Sequence, residues 1–286
     1  MFKNTKKWML VFALILTASV VFAGCGNKEE TPSTEGEKKE GSLSGSITIA
    51  GSTSVQPLSE ELAKAFMSKN SGVTINVQGG GSSAGVKAAN EGAAEIGASS
   101  RELTEEEKGM GITEHKIALD GIAVIVNSKN AVAELTMDQV KDIFSGKITN
   151  WKEVGGKDGA ISVVNREEGS GTRGAFEELV LGKEAKFTDK ALTQPSTGAV
   201  RTTVAGDENA VGYISLGSLN EEVKGIKIDG VEPNVDNVVS GSFKISRPFL
   251  YLTKGDVNDV TKAYIDFVMS EEGQKIVEES GFISAK

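Results

Sequence analysis

Ile47-Thr48-Ile49-Ala50-Gly51-Ser52-Thr53-Ser54-Val55-Gln56-Pro57-Leu58 sets the plan of the chain. Residues 47–50 are strand formers, 51–54 a small polar loop, and Pro57 opens a helix whose Leu58, Leu62, Ala65 and Phe66 share one face. The same order recurs downstream. Val73-Thr74-Ile75-Asn76-Val77 leads into Gly79-Gly80-Gly81-Ser82-Ser83, and Val86 and Ala89 mark the next helix. Ile161-Ser162-Val163-Val164 leads into Arg166-Glu167-Glu168-Gly169-Ser170-Gly171-Thr172, with Phe176, Leu179 and Val180 on the helix beyond. Three strand–loop–helix units predict an α/β architecture.

The loops share a chemistry. The first N–H groups of a helix lack intrahelical partners, and the helix dipole makes that end attractive to anions. Glycine lets the backbone approach a ligand closely, and Ser and Thr add hydroxyl donors that rotate to meet an oxygen. A tetrahedral oxyanion would satisfy many such donors at once. The simpler reading of each loop alone is N-capping, which is what Ser and Thr usually do at a helix start. Three similar loops and Arg166 together favour a shared anionic ligand.

Composition narrows the alternatives. The 286 residues suffice for two lobes and carry a formal net charge of -9, before removal of the export segment that holds Lys3, Lys6 and Lys7. That balance argues against nucleic-acid binding. One cysteine and one histidine exclude a disulfide framework and a Cys/His zinc site, so no metal or cofactor is expected.

Residues 1–24 read as an export signal: Lys3, Lys6 and Lys7, an apolar run over 8–22, then Ala23-Gly24 before Cys25. The pattern resembles a bacterial lipoprotein signal in which Cys25 is lipidated, with Phe22 where an aliphatic is usual. An uncleaved anchor is the alternative, but the run falls short of the roughly 20 apolar residues that span a bilayer. Residues 25–44 then form a lipidated Cys and a polar tether that cannot bury a core. The expected location is the extracytoplasmic face of the cell membrane.

Other motifs read less well. Gly81-Ser82-Ser83-Ala84-Gly85 spells a nucleophile elbow, but an esterase or phosphatase would need His115 as its base. Gly169-Ser170-Gly171-Thr172 lacks the Gly-Lys-Ser/Thr ending of a P-loop, and Glu167 and Glu168 read as solvated loop charges. No enzyme is expected.

With these residues quoted, a resemblance emerges. Over residues 45–283 the chain resembles the periplasmic-type phosphate-binding proteins of ABC importers, through the loops 51–54, 81–83 and 97–100. Arg166 with Gly169-Ser170-Gly171-Thr172, and the stretch Ile143-Phe144-Ser145-Gly146-Lys147-Ile148-Thr149-Asn150-Trp151, add to it. The resemblance implies a type II periplasmic-binding fold, two α/β lobes joined by crossing strands near 122–126 and 248–252. Lobe one would comprise 45–123 and the return segment 241–286, and lobe two 124–240. Helices carrying Val260, Ala263, Tyr264, Phe267, Val268, Ile276 and Val277 would return to lobe one. Implied partners are inorganic phosphate and the permease subunits of an ABC importer, with the protein monomeric; sulfate, molybdate or a phosphonate would be the alternative anions.

Carried over residue by residue, Thr53, Ser54, Ser82, Ser170, Gly171 and Thr172 would donate to the ligand, and Arg166 would supply a charge-assisted pair. Ser100 stands where many members carry the aspartate that accepts the ligand's proton. A nearby carboxylate is therefore expected to substitute: Asp120 first, Glu168 next, Glu167 last, Asp120 being otherwise a solvated turn residue. Because Cys25 is the sole thiol, Cys25→Ala is expected to abolish acyl labelling and lipoprotein processing, read by labelled-lipid incorporation in cells; unchanged labelling would overturn the anchor assignment.

Overall fold

The computed structural model describes residues 43–286; the export segment, Cys25 and the tether up to residue 42 lie outside them. Ser44, read from sequence as the end of the tether, is instead the first residue of β1 (Ser44–Gly51), and Leu43 packs against the core. Alternation along β1 buries Ile47 and Ile49 together on one face. In α1 (Gln56–Lys69) Pro57 occupies the first turn, where its missing N–H costs nothing, and Leu58, Leu62 and Phe66 form the buried stripe. β2 (Gly72–Gly79), α2 (Ser82–Glu91) and β3 (Ile96–Ser99) repeat the unit, with β1 parallel to both β2 and β3.

A single long strand, β4 (Ile112–Asn127), carries the chain from one lobe to the other. Beyond it come β5 (Ser162–Arg166), β6 (Leu192–Gln194), β7 (Ala210–Ser215) and β8 (Ser246–Lys254). The further helices are α3 (Met137–Phe144), α4 (Gly171–Phe176), α5 (Thr197–Gly206), α6 (Asp259–Val268) and α7 (Glu271–Glu279). Along its main path the sheet runs β2-β1-β3-β8-β4-β7-β5-β6. The first part of β4, from Ile112 to Gly121, pairs antiparallel with β8, and Ile122 to Val126 pair antiparallel with β7.

The crossing therefore falls between Gly121 and Ile122, and the return falls at Ile245, whose carbonyl accepts the Ile122 N–H at 2.8 Å. Both apolar runs expected to cross lie inside a lobe: 122–126 in the sheet of lobe two, 248–252 in that of lobe one. Ile122 and Ala123, placed in lobe one from sequence, and Phe243 and Ile245, placed in the return segment, belong to the second lobe's cores.

Each lobe has three layers. In lobe one, Phe249 and Tyr251 of β8 face α1, α6 and α7, and Leu250 and Leu252 face α2. In lobe two, Ile122, Val124 and Val126 face the aromatic core of Phe144, Trp151, Phe176 and Tyr213, and Ala123 and Ile125 face α5. Burial on both faces is why these strands read as near-continuous apolar runs. α4 continues as a wider turn over Glu177–Leu181, closed by Gly182 N–H to Glu177 O at 2.8 Å. That i→i+5 turn re-phases the helix and leaves Leu179, counted in the apolar stripe from sequence, 41% exposed.

Three glycines seat α2 on the ends of β1 and β3. A Cβ at Gly85 would stand 2.6 Å from the Ala98 carbonyl oxygen and 2.8 Å from that of Ala50; one at Gly97 would stand 2.3 Å from the Gly85 carbonyl oxygen. Gly51 adopts φ +143°, with a Cβ position 2.2 Å from the Ala98 carbonyl oxygen. This contact brings Ser82 beside residues 52–54 and Ser100. Gly85→Ala is expected to overpack it and cost about 1–3 kcal/mol, measured as a lower urea midpoint at unchanged m-value.

Candidate anion-binding site

The strand-to-helix loops of both lobes meet at one seam. Lobe one contributes residues 52–54, Ser82 at the start of α2 and Ser100 after β3; lobe two contributes residues 166–172 and Thr197 at the start of α5. Gly171 makes the approach sterically feasible: a Cβ there would lie 2.2 Å from Ser82 Oγ and 2.8 Å from Ser100 Oγ. The Ser83 N–H also donates across the seam to the Gly169 carbonyl at 3.1 Å.

The hydroxyls form a continuous network. Ser52 Oγ donates to Ser100 Oγ at 2.8 Å, and the Ser100 N–H donates to Ser82 Oγ at 3.0 Å. Ser54 Oγ lies 2.8 Å from both Thr172 Oγ1 and Thr197 Oγ1, linking the lobes. Thr53 Oγ1 accepts the Thr197 N–H at 3.2 Å. Ser54, Ser82, Ser100, Ser170, Thr172 and Thr197 are all buried. Ser170 differs in its work, since its hydroxyl caps α4 by accepting the Arg173 N–H at 3.2 Å, and its own N–H donates to Glu167 O.

Arg166 is 2% exposed, and four of its five N–H donors are engaged. Nε and Nη2 donate to Glu167 at 2.9 and 2.8 Å, Nη1 donates to Thr197 Oγ1 at 3.3 Å, and Nη2 donates to Thr53 Oγ1 at 3.2 Å. Its backbone is fixed from beneath, where the Arg166 N–H and the Tyr213 hydroxyl both donate to Asn165 Oδ1 and Tyr213 stacks on Phe176 with centroids 4.2 Å apart. The paired carboxylates thus divide. Glu167 binds the arginine, and Glu168 is exposed.

Asp120, whose alternative reading was a solvated turn, is buried in β4 and faces a second buried guanidinium, Arg247 of β8. Arg247 Nε and Nη2 donate to Asp120 Oδ2 at 3.2 and 3.0 Å, and Ser215 Oγ donates to Oδ1 at 2.9 Å. Burial pushes the Asp120 carboxyl up, opposed by Arg247 and Ser215. Both oxygens have protein partners, which disfavours Asp120 as the group that meets a ligand proton. Each buried cation at the seam is therefore matched by a carboxylate. Attraction for an anion must come mainly from oriented N–H and O–H donors, as expected where unpaired buried charge is costly.

Sequence reasoning missed two residues. Thr197 follows the same pattern as the other loops, with Ser196-Thr197-Gly198 opening α5, and was legible on that ground. Arg247 carried a weaker signal, a lone cation beside the apolar run 248–252. The residues of the elbow motif are engaged elsewhere: Ser83 Oγ accepts from Arg101 Nη2 at 3.2 Å, and His115 Nε2 bonds Thr253 Oγ1 at 3.0 Å. Among the described residues no group of three or more His, Cys, Asp or Glu is placed to hold a metal ion, and no helix is long and apolar enough to cross a membrane.

A family model described as a PBP superfamily domain matches residues 36–272. The phosphate-binding protein PstS of Bacillus subtilis (strain 168) is 37% identical over 289 residues, spanning 97% of this chain and 94% of the relative. A phosphate-bound crystal structure from Clostridium perfringens, described as a phosphate ABC transporter substrate-binding protein, is 48% identical with a TM-score of 0.83. It covers 85% of this chain and 100% of its own. An ABC-type phosphate transport receptor from Vibrio cholerae is 40% identical with a TM-score of 0.69, covering 83% and 99%. The fold is accordingly the two-lobed periplasmic-binding one, a non-enzymatic receptor architecture, and the chain belongs to the PstS family of phosphate-binding proteins within the PBP superfamily.

Proposed function

We propose that this protein captures inorganic phosphate at the seam between its lobes and delivers it to the permease subunits of an ABC importer. The observation that carries the reading is the convergence of buried hydroxyls and Arg166 from both lobes on one spot, in a chain whose relatives are phosphate-binding proteins. Thr53, Ser54, Ser82, Ser100, Arg166, Gly171, Thr172 and Thr197 form the binding set in this reading, and Ser170 supports it by holding the start of α4. The lobes are assigned to residues 43–121 with 246–286, and to 122–245. Cys25 would carry the lipid that holds a monomer on the outer face of the membrane.

Selectivity requires an acceptor as well as donors. Phosphate near neutral pH retains protons and sulfate does not, so a carboxylate facing the ligand favours phosphate by repelling a bare oxyanion. Asp120 is occupied and Glu168 is exposed. Glu167, ranked last from sequence, is occupied too, by Arg166 through both oxygens, but it lies at the seam, with its Oε1 3.3 Å from the Cβ position at Gly81. Ser100, a neutral hydroxyl where the family resemblance implies an aspartate in many members, keeps other tetrahedral anions in competition.

Mass spectrometry of the ligand released on denaturation tests the substrate directly; release of a different anion would overturn the phosphate reading. Arg166→Ala is expected to weaken phosphate binding by roughly two to four decades, because the buried anion then loses its charge-assisted partner. Ser82→Ala should cost only about 1 kcal/mol. Calorimetric titration of both checks the ranking, and an inert arginine would mean that the site is misplaced. Glu167→Gln, titrated with phosphate and sulfate at two pH values, is expected to narrow the phosphate preference by about a decade or more; retained discrimination transfers the role to Ser100.

A further inference from the structure

Arg247 lies at the point where β4 leaves lobe one, directly opposite Asp120 in the β4–β8 ladder. Asp120 Oδ2 takes two of its donors, so the planar fork is locked in orientation. The ring of Phe249, 5.3 Å from the guanidinium carbon, supports it. The remaining arm, Nη1, is thereby aimed at two acceptors: the Ser100 carbonyl of lobe one at 2.9 Å and Thr172 Oγ1 of lobe two at 2.8 Å.

A guanidinium only donates. Thr172 Oγ1 is therefore an acceptor toward Arg247, and its own proton must point away from that guanidinium, with Ser54 Oγ 2.8 Å away as a partner in either direction. The same logic holds on the other side, where Arg166 Nη1 donates to Thr197 Oγ1 and leaves the Thr197 proton to turn toward Ser54 Oγ at 2.8 Å or Thr53 Oγ1 at 3.4 Å. Each arginine thus takes one acceptor position of a threonine hydroxyl and keeps that hydroxyl's proton from turning back toward the guanidinium. An oxyanion oxygen entering beside Ser54 would compete with it for these protons.

We propose that Arg247 is a positioning residue for the anion: it holds the Thr172 hydroxyl with its proton turned away from the guanidinium and available to an anion, and in the same contact fastens lobe two to the crossing strand of lobe one. This rests on the placement of the phosphate site at the seam. Lysine preserves the charge opposite Asp120, but its single nitrogen lacks the planar fork that serves Asp120, Ser100 and Thr172 together.

The test is a double-mutant cycle read by phosphate titration calorimetry, with thermal unfolding alongside, on wild type, Thr172→Val, Arg247→Lys and the double variant. Each single change is expected to lower affinity at least tenfold. The double variant should be no weaker than Thr172→Val within about threefold, because the proposed effect of Arg247 on the anion runs through that hydroxyl. Losses that multiply, or wild-type affinity in Arg247→Lys, would overturn the proposal. Wild-type affinity in Thr172→Val would remove Thr172 from the site and the proposal with it. Intact Thr172→Val loss with multiplying effects would leave the site assignment standing and refute only the role of Arg247. If Arg247→Lys does not fold, the paired exchange Asp120→Asn with Arg247→Gln removes both charges together and takes its place in the cycle under the same criteria.

Discussion

Two guanidinium groups buried at a seam between two sheets constrain the rest of this molecule. A cation removed from water is tolerated only when a counter-charge and enough acceptors meet it, and the fold supplies both twice over. Arg166 has Glu167 beside it in sequence, and Arg247 has Asp120 opposite it in the β4–β8 ladder. Remaining donors pass to threonine hydroxyls, and those hydroxyls meet Ser54 of the other lobe. The seam is thereby electrically balanced before an anion arrives. In the proposed reading, what it offers an anion is an array of hydroxyl and guanidinium donors, whose strength depends on geometry and burial more than on net charge. That also reconciles an acidic protein with an anionic ligand.

The strand β4 gives this geometry its mechanical basis. Because one unbroken strand serves both sheets, the lobes are connected by backbone running past the Asp120–Arg247 pair. Ser215, at the end of β7, donates to the same carboxylate, so lobe two is tied to the crossing as well as to the site. The glycines at 51, 85, 97 and 171 serve a complementary purpose. Each lets backbone or hydroxyl atoms come closer than a side chain would permit, and without them Ser82 and Ser100 would not reach α4.

Much of the fold was legible from local pattern. The Ile47–Pro57 unit, the apolar faces of α1 and α2, and the C-terminal helices all follow from periodicity, which reflects which side of an element meets a core. Leu179 departed because a wider turn changed the helical phase, a feature that periodicity assumes away. The crossing points were displaced by a few residues because the strands continue through the lobe boundary without a break. A run of buried β-branched residues looks the same on either side of it.

The sequence by itself determined that the chain is an α/β protein, and its pattern of Gly/Ser/Thr loops with Arg166 gave the expectation of an anion site. These depend on residue type and spacing along the chain, which is all that a linear pattern records. Tertiary structure decided which carboxylate serves which cation. Asp120 and Arg247 are separated by more than a hundred residues and meet only because β4 and β8 pair in one register; Glu167 and Glu168 are neighbours that point to different environments. Only the packed structure shows that Ser170 caps its own helix while Thr197, from a fourth loop, takes its place against Ser54. The reason is physical: a hydroxyl or carboxylate is assigned its role by the donors within about 3 Å of it, and for these residues the decisive donors come largely from elsewhere in the chain.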